Sequence, residues 1–294
     1  MTTRQPTSAE IRQLLRVAGI NPKQSLSQNF LVDTSHLTHI LKAADLVPDD
    51  VVLEIGPGLG ILTQQLAQRV DETGHLFAVE LDDRLIPILR GQFAISEHVT
   101  IIHEDILSLH FGQLVLPNNL PITSYKVVAN LPYNITNGVL RYFLESSHPP
   151  DLSVIMVQKE VAERICEEPG ALSILAVSVQ FFTKPELVHY VPASAFYPQP
   201  KVDSAILRLE RLPEPAVPDA DPKLFFRMVR AGFSQKRKQL LNSLSGGLQL
   251  PKPIIGAVME EAGIDPKRRA QTLSLGEWGQ LYHVLFAPDE EDDE

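Results

Sequence analysis

Cysteine is almost absent: Cys166 is the only one in 294 residues. A lone thiol excludes an internal disulfide framework, fits a reducing cytoplasm, and rules out zinc sites assembled from paired CxxC motifs. Long apolar runs are missing as well. The best, Leu172 to Phe182, falls well short of the ~20 residues of a membrane span and is interrupted by Ser173, Ser178 and Gln180. Met1 to Glu10 is polar, with no apolar stretch after Arg4, so the start of the sequence does not read as a secretory signal. The 9 histidines show no HExxH or comparable ligand spacing; no metal is expected, and His36 and His39 read as surface residues of a helix. Net positive charge is lacking too, since 36 Asp and Glu against 26 Lys and Arg leave −10. Asp289 to Glu294, all acidic and following Pro288, account for six of those charges. Such a block reads as a disordered tail over 288–294. A polyanionic partner must then be met by a local basic face, not by the molecule as a whole.

What is present is the balance of a soluble globular protein, 44% hydrophobic and 21% charged. The length suggests about two domains, and a chain of this size buries about 75% of its unfolded surface without staples. Val51 to Ile55 reads as a buried strand, Ile61 to Val70 as a helix, Leu76 to Glu80 as a strand and Asp82 to Phe93 as a helix. Val99 to His103, Tyr125 to Ala129 and Leu152 to Val157 read as three more strands. Strands alternating with helices predict an α/β fold with a parallel sheet and right-handed crossovers. Glu186 to Val191 and Lys201 to Leu209, joined by a proline-rich turn, predict an antiparallel pair at the sheet edge. Arg211 to Lys223 carries Pro213, Pro215, Pro218 and Pro222 and is the best linker. Beyond it Leu224 to Gly232, Lys236 to Leu244, Pro253 to Ala262 and Leu275 to Phe286 predict a small helical bundle. The domains are therefore expected at 1–212 and 213–287.

Glu54-Ile55-Gly56-Pro57-Gly58-Leu59-Gly60 follows the first strand. Glycines there let a ligand approach the backbone and let a helix start against it, although a merely tight turn would use them too. Ile61 breaks the GxGxxG dinucleotide fingerprint, and no lysine follows as a phosphate loop requires. The ExGxGxG pattern looks like the first motif of methyltransferases that use S-adenosylmethionine. Glu80 ends the next strand, where a carboxylate can accept from both ribose hydroxyls, while Asp82 could cap the following helix. Asp105, after the third strand, could accept from an adenine amino group or be a solvated loop carboxylate.

Asn130-Leu131-Pro132-Tyr133 ends the Tyr125 strand. The pattern [N/D]-x-P-[Y/F] is the signature of methyltransferases acting on planar exocyclic amino groups. An adenine amino lone pair is delocalised into the ring, so the nitrogen is a poor nucleophile. The Asn130 side-chain oxygen and the Leu131 carbonyl can each accept one amino hydrogen and favour a more pyramidal nitrogen. Pro132 fixes φ, and Tyr133 offers a stacking face worth roughly 1–3 kcal/mol per base. No general base is needed, because the product ammonium loses its proton to water.

With Ser27-Gln28-Asn29-Phe30-Leu31, Gln158 to Ala162, Phe196 to Ser204, Phe233 to Lys238, Asn242 to Leu244 and Arg269 to Leu275, the chain closely resembles the ribosomal RNA adenine dimethyltransferases of the small-subunit type. The resemblance runs from about residue 20 to 286. It implies a Rossmann-like class I methyltransferase domain with a small all-helical C-terminal domain. It further implies that Asn29, Leu31, Gly56, Glu80, Asp105 and Asn130 contact S-adenosyl-L-methionine and that Phe196 flanks the target base opposite Tyr133. The implied reaction is N6,N6-dimethylation of two adjacent adenines in a hairpin loop near the 3′ end of 16S ribosomal RNA, in the cytoplasm and within an assembling 30S particle. An unpaired loop base costs little to extrude. Lys236-Arg237-Lys238 and Lys267-Arg268-Arg269 are the densest cationic clusters and the expected phosphate-binding face, unless they are simply solvated surface. Leu26-Ser27 stands where the family usually has Phe-Gly, and Lys23 is the only basic residue nearby. The rivals are a large-subunit or DNA adenine methyltransferase and a non-catalytic assembly factor; a monomer is the default.

Overall fold

The computed structural model describes residues 7–23, 26, 28–110, 114–116 and 121–286, and the acidic stretch 288–294 lies outside them. The elements run α1 (Ser8–Val17), β1 (Phe30–Leu31), α2 (Leu37–Ala44), β2 (Val51–Ile55), α3 (Ile61–Ala67), β3 (His75–Glu80), α4 (Ile86–Gln92), β4 (Val99–His103), β5 (Lys126–Asn130) and α5 (Thr136–Leu144). They continue with β6 (Leu152–Gln158), α6 (Lys159–Ile165), α7 (Ile174–Phe182), β7 (Thr183–Val191), β8 (Phe196–Tyr197), β9 (Ser204–Arg211), α8 (Pro222–Phe233), α9 (Leu240–Leu248), α10 (Lys252–Glu261) and α11 (Leu275–Leu285). Two compact units result: residues up to Ala162 with Glu186–Arg211, and Glu163–Pro185 with residues from Leu212 onward.

The first unit is built on a seven-stranded sheet of order β4-β3-β2-β5-β6-β9-β7. Strands β2 to β6 are parallel and β9 runs antiparallel to β6. The expected edge pair is present as neighbouring β7 and β9, with β9 starting at Ser204 instead of Lys201. The chain moves outward through β2, β3 and β4, then returns across β2 to β5. At such a reversal the connections diverge and leave a crevice beyond the carboxyl ends of β2 and β5. Every residue of β3 is buried, which is why it reads as an apolar run without alternation. Leu37, Ile40 and Leu41 of α2 and Leu62 and Leu66 of α3 join Val52, Leu76, Val128 and Val154 of the sheet in one core.

Helix α1 was not expected, although Thr7-Ser8-Ala9-Glu10 is a capping box. Thr7 Oγ1 accepts from the Glu10 amide at 3.3 Å, and Glu10 Oε2 accepts from the Thr7 amide at 2.7 Å. The helix buries Ile11 and Leu15 with Leu59, Leu85 and Leu89. The two histidines read as surface residues are half-buried. His39 stacks on His189 with centroids 3.7 Å apart, and His36 Nδ1 lies 3.1 Å from His189 Nε2.

The second unit corrects three expectations. Segment 163–185, expected in the first domain, belongs here, because α7 buries Ala176, Val177 and Phe181 in this unit's core. Phe181 stacks on Phe225 of α8 at 4.6 Å within a core that includes Leu244, Met259 and Trp278. The linker over 211–223 is packed: Leu212 and Ala216 donate to the carbonyls of Phe182 and Phe181, and Val217 is buried. The helix expected from Lys236 begins only at Leu240, so Lys236, Arg237 and Lys238 occupy the exposed turn between α8 and α9. Gly232 is required where it stands, since a Cβ there would lie 2.5 Å from the Trp278 ring.

Candidate active site

The glycine loop leaves β2 through three left-handed residues, Gly56 (φ 66°), Gly58 (φ 59°) and Gly60 (φ 79°). A side chain would be strained at each. At Gly58 a Cβ would also press to 3.2 Å from the Phe30 ring. The loop therefore accepts β1 directly against its backbone, which explains why a residue so far upstream belongs to the same site.

Glu80, almost fully buried at the end of β3, holds this loop. Its Oε2 accepts from the Gly58 amide at 3.1 Å and its Oε1 from the Asp82 amide at 2.8 Å. Burial, reinforced by the Asp82 charge, raises the Glu80 carboxyl above its ordinary range, and those backbone donors oppose the shift. Asp82 does not cap a helix, because α4 starts only at Ile86. It is instead the anchor of the N-terminal segment. Arg84 grips both of its oxygens, at 2.9 and 2.6 Å, and Gln28 Nε2 donates to Oδ2 at 2.8 Å. Those donors, Arg84 foremost and Gln28 next among them, hold the Asp82 carboxyl well below the usual carboxylate range despite its burial. Lys23, the one basic residue near that segment, also pairs with Asp82, at 3.4 Å.

Asp105 follows β4 and uses Oδ1 to accept from the Leu107 amide at 2.9 Å. The turn is tied to its neighbour by Glu104 N–H donating to the Glu80 carbonyl at 3.2 Å. Asn130 closes β5 across the switch point from Gly56. Its Nδ2 donates to the Asn29 carbonyl at 3.5 Å, which leaves Oδ1 as the acceptor end of the amide. Leu131 is buried, and its amide donates to the Met156 carbonyl at 3.1 Å.

The Tyr133 hydroxyl shares a 2.6 Å hydrogen bond with Ser204 of β9, which fixes the ring. Burial raises its phenol, so it stays neutral. Phe196 is buried, and strands β1 and β8 form a short antiparallel ladder, Leu31 opposite Phe196 and Phe30 opposite Tyr197. One cavity is lined by Asn29, Leu31, Gly56, Glu80, Asp105, Asn130, Leu131, Pro132, Tyr133 and Phe196 together, so these ten expected residues converge. Lys236, Arg237 and Lys238 lie in the other unit. Sequence reasoning missed Asp82 and Ser204 as supports, and it named Glu54 only as the first position of the glycine motif, whereas the residue is a buried member of the cavity lining.

The cavity suits a nucleoside bearing a positive charge. Its described lining holds four carboxylates (Glu54, Glu80, Glu104 and Asp105) and no Lys, Arg or His. Glu54 Oε2 is buried without a hydrogen-bond partner, an acceptor with nothing to accept from. S-adenosylmethionine, with ribose hydroxyls, an adenine amino group and a sulfonium, matches such a donor-seeking, cation-seeking wall.

Residues 19–285 match the sequence profile of ribosomal RNA adenine dimethylase. A relative from Dehalococcoides mccartyi, ribosomal RNA small subunit methyltransferase A, is 44% identical over 93% of this chain and 91% of its own. One of the same name from Clostridium perfringens is 43% identical over 93% and 94%. Among solved structures, the 23S rRNA methyltransferase ErmE aligns with TM-score 0.69 at 28% identity, covering 87% of this chain and 99% of its own. A dimethyladenosine transferase from Plasmodium falciparum aligns with TM-score 0.70 at 24% identity over 84% and 94%, and shows the fold.

Proposed function

The chain belongs to the ribosomal RNA adenine dimethylase family, and from that premise we propose that it converts two adjacent adenines in a hairpin loop near the 3′ end of 16S ribosomal RNA to N6,N6-dimethyladenosine. The observation that carries this reading is the convergence of the Asn130–Tyr133 turn and the Gly56–Gly60 loop on one cavity. S-adenosylmethionine supplies an electrophilic methyl group on sulfur. Glu80 accepts from the ribose hydroxyls, Asp105 from the cofactor's adenine amino group, and Asn29, Leu31 and Gly56 hold the remainder. Asn130 Oδ1 and the Leu131 carbonyl accept the two hydrogens of the target amino group and aim its lone pair. Tyr133, steadied by Ser204, and Phe196 hold the flipped base on its two faces.

One structural relative is named a 23S rRNA methyltransferase, but at 28% identity it is less similar than the relatives above 40%, which are named for the small subunit. The substrate in this reading is the loop within an assembling small subunit, approached in the cytoplasm by a monomer that uses no metal. The test is nucleoside mass spectrometry on small-subunit particles lacking the modification, incubated with the protein and methyl donor beside large subunits and duplex DNA. Dimethyladenosine is expected in the small-subunit sample alone; product elsewhere overturns the substrate, and no product anywhere overturns the reaction.

RNA affinity is assigned to the basic turns of the second unit. The Leu240 amide donates to the Arg268 carbonyl at 2.7 Å, which brings the 236–238 turn beside 267–269. Arg268 itself is engaged by Glu277, leaving Lys267 and Arg269 exposed with Lys236, Arg237 and Lys238. Reversing the charge of Lys236, Arg237 and Lys238 is expected to flatten the slope of log affinity against log salt by about 2 to 3 and to weaken binding at least ~10-fold. Filter binding to small subunits across a salt series checks this; an unchanged slope would remove the turn from the interface.

A further inference from the structure

Glu54 is given no role in the reading above, yet it is a carboxyl buried in the middle of a sheet. It sits on β2, paired in parallel with Ala78 and Val128 on either side, in the middle of the sheet. Only 1% of it is exposed, Oε2 has no hydrogen-bond partner, and the neighbouring Thr63 hydroxyl on α3 is likewise buried without one. The residue nevertheless lines the cavity, in company with Glu80, Glu104 and Asp105 and no described cationic residue. A carboxylate with an oxygen buried and unpaired pays a desolvation cost that disfavours its charged form.

We propose that Glu54 is neutral in the free protein and ionises when the methyl donor binds, so that the positive charge of the incoming sulfonium displaces one proton from Glu54 to solvent. The inference rests on the cofactor assignment above. Burial chiefly, with the Glu80 charge adding to it, pushes the Glu54 carboxyl up to about 8. The Thr63 hydroxyl is near enough to oppose that shift but lacks the geometry of a hydrogen bond. A cation brought into the same low-dielectric cavity has the opposite effect and favours the ionised form. The demethylated product is a neutral thioether at that position and offers Glu54 no such partner. Glu54 is thus a specificity-determining residue, a charge sensor that favours the donor over the spent product.

The experiment is calorimetric titration of the full chain with S-adenosylmethionine, and separately with its demethylated product, near neutral pH in buffers of different ionisation enthalpy. The buffer dependence of the heat counts protons. Wild type is expected to release close to one proton more per donor bound than Glu54→Gln does, and fewer protons with the demethylated product than with the donor. Equal release by wild type and Glu54→Gln overturns the proposal. A second measurement needs no variant: the wild-type preference for donor over product should rise by up to tenfold per pH unit and level off above about 8. A preference flat across that range also overturns it. Failure of the wild type to bind the donor at all would strike the cofactor assignment itself and is distinguishable from both.

Discussion

Replacing Asn130 by alanine is expected to slow methyl transfer by about 10²–10³-fold, close to abolition in a single-turnover assay, with a far smaller change in cofactor affinity. The reason lies in what each partner loses. A planar amino nitrogen must leave conjugation with its ring before it can attack, and two fixed acceptors favour that change only if both are already in place. The Leu131 carbonyl is held by a buried residue at the end of a central strand, so alanine at 130 removes one acceptor and leaves the other. The same change costs little in folding, because among the described residues the Asn130 side-chain nitrogen makes a single long hydrogen bond, 3.5 Å to the Asn29 carbonyl. A contact that long contributes less than the ~1 kcal/mol of an ordinary hydrogen bond. Catalysis and stability therefore separate cleanly at this position. Asn130→Asp keeps an acceptor but adds a fifth carboxylate to the cavity and is expected to fall between alanine and wild type. Cofactor binding measured alongside the transfer rate distinguishes the roles, and an Asn130→Ala protein that methylates at the wild-type rate would show that the turn does not act on the amino group.

The parts of the site legible in the sequence are those whose physics is local. Leu76 to Glu80 reads as a strand because a parallel strand buried on both faces shows a nearly continuous apolar run. The Gly56, Gly58 and Gly60 spacing is visible because each takes a left-handed φ. Asn130 to Tyr133 is a four-residue unit and carries its own signature. What the sequence hides depends on distant partners. Asp82 anchors the N-terminal segment through Gln28, 54 residues away, and Ser204 fixes Tyr133 from 71 residues away. No spacing rule connects such pairs. Helix α7 was placed in the wrong unit because it is mostly apolar, and its pattern does not say which core it enters. The basic cluster at 236–238 was expected on a helix, yet it occupies the turn before α9, and the Leu240 amide at the start of that helix is spent on the Arg268 carbonyl, a contact invisible from composition.

Glu54 should also make the protein less stable as pH rises through the neutral range, and Glu54→Gln should remove that loss. The folded-state carboxyl titrates near 8 against an ordinary 4.5, so between those values the folded chain holds a proton that the unfolded chain has released. Stability from this group is then fully present below about 4.5 and declines with rising pH until about 8, by roughly 1.4 kcal/mol per unit and about 5 kcal/mol in all. Glu80, raised chiefly by burial, acts in the same sense, while other groups act elsewhere or in the opposite sense. Glu277, held near 2 by Arg268, loses its contribution only in acid. His75 and His189, lowered chiefly by burial, make the protein more stable as pH rises toward 6.5. These are common to both proteins, so the informative quantity is the stability of Glu54→Gln minus that of wild type, from urea unfolding without cofactor at a series of pH values. The difference is expected to grow steadily from about pH 5 and flatten beyond 8; parallel curves would mean that Glu54 is already ionised in the free protein. Saturating methyl donor should narrow the gap at high pH, since a bound cation stabilises the wild-type carboxylate and leaves the neutral glutamine unmoved. The substitution that removes a liability from the free fold thus removes a counter-charge from the complex, which accounts for the presence of a carboxylate where an apolar or amide side chain would fold better.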